Sequence, residues 1–222
     1  MKPILFNQEM VKAILDGRKT VTRRIVKPQP DNKHQSPLGY VMSGISQENE
    51  GCFGWGLDEY GGTIQHARPP YKVGDILYVR ETWCRGTVAV GELEDGRGEE
   101  FISQCDAEKD YVIPKEWAIR NNIGIEDILW KPSIHMPKVA ARIFLRVKTV
   151  RAERLMEMSI QDMIDEGINT EGIISNQGPI NYQVINRFEE LWNSTIKKED
   201  FDNYSLGANP WVWVIEFERV KV

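Results

Sequence analysis

Regularly spaced large side chains near the C-terminus constrain the fold of this chain more than any other feature. The apolar residues at every second position there are Trp211, Trp213, Ile215 and Phe217. A repeat of two is the side-chain period of a β-strand, so the pattern predicts a strand that buries this face in the core. A platform on which nucleic-acid bases stack is the alternative role for the two tryptophans.

Three other segments predict further strands, at residues 21–26, 71–83 and 139–147. The last of these alternates apolar residues with mostly basic ones, which is typical of a half-exposed strand. Strands with this alternation suit a closed barrel with helices packed outside it.

Local signals also predict three helices. Asn7 is placed to cap the first helix, and Gly17 is placed to end it. Ser159 and Asp162 resemble a capping box for the second helix, which Gly167 ends. The third helix has an apolar face formed by Val184, Ile185, Phe188, Leu191 and Trp192.

These elements predict an α+β fold that is mainly β, with flanking helices. We expect a single domain over residues 1–222, with two loop insertions at about 31–70 and 86–129, because no linker is long enough to force a division. The insertion at 31–70 is rich in glycine and carries aromatic residues. It is interpreted either as a loop with a β-hairpin, which we favour, or as a lid whose aromatic side chains stack on a base or on the core edge.

Composition excludes several classes of protein. No run of residues approaches the eighteen apolar positions of a membrane span. Three widely separated cysteines form neither a disulfide framework nor a CxxC metal pair. The spacing of His34, His66 and Cys52 fits no zinc site. We therefore expect a cytoplasmic protein with neither a metal nor another cofactor.

A basic segment stands out against a formal net charge of −5 for the whole chain. Its only acid is Asp16, and its cations are Lys12, Arg18, Lys19, Arg23, Arg24 and Lys27. The segment is predicted to lie at a helix-to-strand corner, where backbone N–H groups and cations can converge on an anion. The alternative is a solvated basic turn.

The same segment resembles a known family. Residues 17–24 read Gly-Arg-Lys-Thr-Val-Thr-Arg-Arg, which is similar to the G-x-K-x-x-T-x-R signature of ASCH domains. Residues 74–83, 131–137 and 209–217 extend the resemblance to the longer ASCH proteins of phages and prophages. The resemblance implies a PUA-like β-barrel.

Two kinds of function are expected: a binding module, which the basic segment favours, and an enzyme, which the resemblance implies. As a binding module, the chain would hold RNA or a modified nucleoside or nucleotide in a basic cleft, through Arg18, Arg23, Arg24, Ser133 and His135. As an enzyme, it would be a metal-independent amidohydrolase on N-acylated cytidine-type nucleosides or a ribonuclease. The catalytic residues implied are then Lys19, Thr22 and Glu81. A structural or interaction role in a phage is a further alternative.

The chemistry can also be argued from the residues themselves. A lysine crowded by neighbouring arginines loses its proton more easily, and can then activate the hydroxyl of Thr22. In an ideal strand Lys19 and Thr22 point to opposite faces, so this scheme needs a bend between them. A nucleophilic pair of Ser133 and His135 is less favoured, because residues two apart on a strand point in parallel.

Two alternative settings are expected for Glu81. It follows Leu77 and Val79 on one face of a predicted strand. Its carboxylate is therefore either partly desolvated or paired with a cation, for which one of the N-terminal arginines is the expected partner.

Overall fold

The structure is a computed structural model. It describes residues 1–42, 47–88, 98–103, 130–173 and 180–221. The fold is mixed α+β and mainly β, as predicted. The strands are β1 (Lys2–Leu5), β2 (Val21–Ile25), β3 (Ser36–Tyr40), β4 (Phe53–Gly56), β5 (Ile64–Ala67), β6 (Ile76–Arg80), β7 (Trp83–Val88), β8 (Gly98–Ser103), β9 (Phe144–Arg154) and β10 (Trp211–Val220). The helices are α1 (Gln8–Leu15), α2 (Ile160–Asp165), α3 (Ile180–Ser194) and α4 (Phe201–Tyr204).

The chain divides into two compact units. The first consists of Met1–Gly17, Ile76–Arg146 and Arg219–Val222, and the second of Arg18–Asp75 and Val147–Glu218. The expectation of a single domain over residues 1–222 stays a prediction. No closed barrel is detected among the strands of the described residues.

The first unit is built on a short mixed sheet. Strand β1 pairs in parallel with β6, and β6 pairs antiparallel with the first residues of β9. Helix α1 begins where the Asn7 side chain accepts a hydrogen bond from the N–H of Met10, at 2.9 Å. It ends before Gly17, whose φ of +76° is favourable only for a residue without a side chain. Both helix signals read from the sequence are confirmed.

The second unit has β10 at its centre, between β9 and β2. Helices cover one face of this sheet, because Val212 and Val214 of β10 belong to the same buried cluster as Val184 and Phe188 of α3. The opposite face of β10 holds Trp211 and Trp213, which are buried. The predicted strand with a buried tryptophan face is confirmed, and both of its faces lie in the core.

The insertion at 31–70 forms more than the hairpin that was favoured. Strands β3, β4 and β5 make a three-stranded antiparallel sheet. Its Trp55 ring lies 5.6 Å from the Trp211 ring and 6.1 Å from the Trp213 ring, measured between centroids. Edge-to-face aromatic contacts of this kind join the insertion to the core of its unit.

The strand predicted at 139–147 begins later and ends later than expected. Lys138–Ala140 forms a single 3-10 turn, and the strand runs instead over Phe144–Arg154. The N–H groups of Ala140 and Ala141 donate to the carbonyls of Pro137 and Lys138 within this turn, so they are not available to a sheet there. The segment predicted at 71–83 is likewise shorter, since β6 spans Ile76–Arg80 and β7 begins only at Trp83.

Most of the insertion predicted at 86–129 lies outside the described residues. Where it is described, β7 and β8 pair antiparallel, from Trp83 opposite Ser103 to Val88 opposite Gly98. None of the helices in the described part of the chain is both long enough and apolar enough to cross a bilayer.

Candidate active site

Lys19 lies at the corner between α1 and β2, where the sequence places the basic segment. Backbone hydrogen bonds fix this corner on both sides: the N–H of Thr20 donates to the carbonyl of Asp165, and the N–H of Phe217 donates to the carbonyl of Thr20. Asp165 is the last residue of α2 and Phe217 belongs to β10. The backbone that carries Lys19 is therefore anchored to two elements far away in the sequence.

The side chain of Lys19 is buried and fully hydrogen bonded. Its Nζ lies 2.6 Å from Oε2 of Glu166, 2.7 Å from the carbonyl oxygen of Glu166 and 2.8 Å from the carbonyl oxygen of Val21. These three acceptors match the three donors of an ammonium group. The Lys19 side chain is 1% exposed and that of Glu166 is 8% exposed, so solvent hardly screens the pair.

The protonation of Lys19 is shifted in the direction expected from the sequence, but for a different main reason. Burial lowers the pKa of Lys19, because a desolvated ammonium is costly. The Glu166 carboxylate opposes this shift, and the neighbouring Arg24 and Arg23 contribute to it. The crowding of cations is therefore the smaller effect.

Arg23 is also buried, although the sequence predicts it in a basic cleft that binds an anion. Its guanidinium is enclosed by carboxylates: Nη2 lies 2.8 Å from Oε1 of Glu153 and 3.1 Å from Oδ1 of Asp162, and Nη1 lies 3.5 Å from Oε1 of Glu166. Three acids of its own unit thus occupy the cation. Its binding of an external anion stays a prediction.

The Arg23–Glu166 contact is an ion pair without a hydrogen bond. Nη1 of Arg23 and Oε1 of Glu166 are both buried, and neither has a hydrogen-bond partner within the described residues. Lys19 satisfies the other oxygen of Glu166. One oxygen of the Glu166 carboxylate is therefore hydrogen bonded and the other is not. The second oxygen remains an acceptor for a proton in transfer.

The hydrogen bonds of Asp162 keep this side chain charged. Burial raises the pKa of Asp162, but hydrogen bonds from Ser159 and Arg23 outweigh it and leave the pKa below its ordinary value. Ser159 and Asp162 also form the predicted capping box of α2. The Asp162 carboxylate therefore belongs both to the cap of α2 and to the group of acids around Arg23.

The other predicted residues of the corner differ in exposure. Thr22 is buried in β2 opposite Ile215 of β10, and Arg24 is half-buried. Burial lowers the pKa of Arg24, while Glu166 and Tyr71 work in the opposite direction. Arg18 is exposed, and its Nη1 donates to the carbonyl of Gly167 at 3.2 Å.

Glu81 lies in the first unit, where a different cation binds it. The two carboxylate oxygens of Glu81 accept from Nε and Nη2 of Arg142, at 2.8 and 3.0 Å. This bidentate geometry is the strong form of an arginine–carboxylate pair. The expectation of a paired carboxylate is met by Arg142, and the catalytic role of Glu81 stays a prediction.

Ser133 and His135 lie in the first unit on a 3-10 turn rather than on extended chain. Ser133 is half-buried and His135 is exposed. The neighbouring Lys131 ammonium lies 5.1 Å from the centre of the Trp83 ring, within the range of a cation–π contact.

The residue that sequence reasoning missed is Glu166. Its distance from Lys19 along the chain hides the pairing, but one local signal was present. An acidic side chain at the C-terminal end of a helix faces the negative end of the helix dipole, which is unfavourable without a compensating cation. Glu166 occupies that position at the end of α2, so its presence there indicates a partner.

The described residues contain no group of three or more His, Cys, Asp or Glu side chains placed to hold a metal ion. No protein-family model, curated protein or solved structure matches the chain.

Proposed function

We propose that this chain is a hydrolase that needs no metal and cleaves an acyl–nitrogen bond on a nucleoside-like substrate. The observation that carries the proposal is the buried pair of Lys19 and Glu166. Lys19 lies just before β2, three residues before Thr22, and Glu166 lies at the end of α2. Lys19 and Thr22 stand within the G-x-K-x-x-T-x-R sequence that resembles ASCH domains. The PUA-like barrel implied by that resemblance is part of the same proposal.

The proposed chemistry assigns one role to each side chain. The Lys19 ammonium first passes a proton to Glu166, and the hydroxyl of Thr22 then attacks the acyl carbon while the resulting neutral amine takes its proton. The leaving nitrogen then receives that proton, the acyl group stays on Thr22, and water releases it as the free acid. Glu166 holds Lys19 in place and accepts a proton in exchange with it.

Burial supports this assignment. A lysine of ordinary pKa is almost entirely protonated at neutral pH and is a poor base. Desolvation of the Lys19 side chain increases the fraction of neutral amine. The carboxylate of Glu166 also keeps the amine oriented, whereas a lysine on the surface would have no such fixed orientation.

The test compares variants on N-acylated cytidines and on RNA in the presence of a chelator. We expect wild type to release the acyl group, and we expect Lys19→Met, Thr22→Val and Glu166→Gln to reduce kcat by about a hundredfold or more. Glu81→Gln is the matched control, because it removes the charge of a second buried, paired carboxylate in the other unit. A hundredfold loss in Glu81→Gln with full activity in Glu166→Gln would assign the role to Glu81 instead.

Binding of RNA or a nucleotide without catalysis is the second candidate. It is favoured by basic side chains at the surface of each unit, Arg18 in the second and Lys131 and Lys138 in the first, and by the exposed imidazole of His135. Binding through such side chains weakens steeply as salt increases. If wild type cleaves none of the substrates but binds labelled RNA in a salt-sensitive way that Arg18→Ala or His135→Ala reduces, this second function replaces the first.

A further inference from the structure

A second cluster of reactive side chains lies beside the three-stranded sheet of the second unit, in the segments just before β3 and β5, and the proposed function does not use it. Nδ1 of His34 lies 2.8 Å from Oδ1 of Asp31, and Nε2 of His34 lies 2.8 Å from Oγ1 of Thr63. An imidazole thus stands between a carboxylate and a hydroxyl, with one ring nitrogen on each. This is the arrangement by which a histidine activates a hydroxyl nucleophile.

The carboxylate determines which nitrogen of His34 carries the proton. Oδ1 of Asp31 also accepts from the backbone N–H groups of Lys33 and His34, at 2.8 and 3.0 Å. The hydrogen bond from the His34 side chain, together with these backbone donors, lowers the pKa of Asp31 to about 2. A charged carboxylate can only accept, so Nδ1 of a neutral imidazole must donate to it. Nε2 then presents its lone pair to Thr63, whose hydroxyl donates.

The carboxylate is held from its other side as well. Nε2 of Gln65 donates to Oδ2 of Asp31 at 2.8 Å, and the N–H of Asp31 donates to Oε1 of Gln65 at 2.9 Å. Gln65 lies in β5 and Thr63 immediately precedes that strand, so one short segment carries the nucleophile and fixes the carboxylate. The His34 side chain is only 12% exposed, so the surrounding atoms restrict the rotation of its imidazole ring.

Thr63 is accessible to a substrate. It is exposed and follows Gly61 and Gly62, which have φ values of +101° and +56°. Within the described residues, the backbone N–H groups of Gly62 and Thr63 make no turn, loop or cap hydrogen bond. Backbone N–H groups next to a nucleophile can act as donors to the oxyanion formed in acyl transfer.

We propose that Thr63 and His34 form a second catalytic site, which transfers acyl groups from activated esters, with Asp31 as its positioning residue. The Thr63 oxygen bonds to the ester carbonyl carbon as its proton passes to Nε2 of His34. The tetrahedral intermediate expels the alcohol, which takes that proton, and the acyl group remains on Thr63. Water then attacks the acyl-threonine with His34 as base, which releases the acid and restores the hydroxyl.

The experiment uses the full chain, p-nitrophenyl acetate as substrate and a fluorophosphonate as covalent probe, at about pH 8, where an ordinary imidazole is neutral. We expect burst release of p-nitrophenol and a phosphonyl adduct that mass spectrometry maps to Thr63. Thr63→Val and His34→Gln should reduce the hydrolysis rate at least tenfold and abolish the adduct. Thr63→Ser should retain both, and Thr170→Val, which alters another exposed threonine of the same unit, should behave as wild type.

The role of Asp31 is tested by a signal that loss of stability alone does not change. Nitrogen NMR of the His34 ring should show the proton on Nδ1 in wild type and a shift toward the other tautomer in Asp31→Asn, together with slower hydrolysis. Absence of an adduct on folded wild type, or an adduct that persists in Thr63→Val, would overturn the proposal. An unchanged tautomer in a slower Asp31→Asn would overturn the role given to Asp31.

Discussion

The ammonium of Lys19 and a carboxylate oxygen of Glu166 lie 2.6 Å apart, although 147 positions separate the two residues in the chain. Both are buried, so each neutralises a charge that would be costly alone. The pair also joins the corner before β2 to the end of α2. Its contribution to stability can therefore be measured separately from any activity.

Removing one partner of the pair should destabilise the second unit strongly. Lys19→Met leaves the Glu166 carboxylate buried without its cation, and we expect a loss of about 3–5 kcal/mol in the free energy of unfolding. Adding Glu166→Leu removes the remaining charge and should restore part of that loss. Urea denaturation of both single variants and the double variant measures the coupling, and strictly additive effects would contradict a direct interaction.

The packing of the three-stranded sheet on β10 should be visible in stability. Trp213→Ala removes a side chain that is 2% exposed and should cost about 3–5 kcal/mol. Trp55→Ala, from the opposite side of the same contact, should cost a similar amount, since its ring is 1% exposed. Tyr60→Ala is the control and should change little, because Tyr60 is exposed in the loop between β4 and β5. A Trp55→Ala variant as stable as wild type would show that the sheet does not pack on β10.

The pKa of Asp31 should be measurable by carbon NMR of its carboxyl group. We expect a midpoint near pH 2 in wild type, and a rise toward the ordinary value of 3.8 in His34→Ala, which removes the main hydrogen bond. Because the pKa is lower in the folded state, the stabilisation is present above about pH 4 and is lost as the pH falls toward 2. A wild-type midpoint at 3.8 would mean that the hydrogen bonds to Asp31 do not form in solution.

The cap of α2 should affect both stability and the position of Glu166. Ser159 accepts from the N–H of Asp162, and the Asp162 side chain accepts from the N–H of Ser159. Ser159→Ala should cost about 0.5–2 kcal/mol. Ser159→Asn keeps an acceptor at this position and should recover most of the loss. Thermal unfolding followed by circular dichroism provides the comparison, and equal losses in the two variants would exclude capping as the cause.

Local order in this chain was predictable where neighbouring residues determine it. Three such local signals are confirmed: the cap at Asn7, the capping box at Ser159 and the alternation around Trp213. Each depends only on residues that are close together in the sequence. Glu166 could not be assigned in this way, because only the folded chain brings it to Lys19. The burial of Arg23 was missed for the same reason, since the carboxylates around it are more than a hundred residues away.

The place of β2 in its sheet has a consequence for how the protein is made. Among the described strands, β2 stands at the end of the order and has β10 as its neighbour. A ribosome adds about 5–20 residues per second, so roughly 190 residues of further synthesis leave β2 without its partner for about 10–40 s. Throughout that interval Lys19 and Arg23, which are buried in the folded protein, lack the strand that covers β2 and remain in contact with water. The basic segment of the nascent chain therefore stays exposed until β10 has been synthesised, and β2 cannot be enclosed in its sheet before that point.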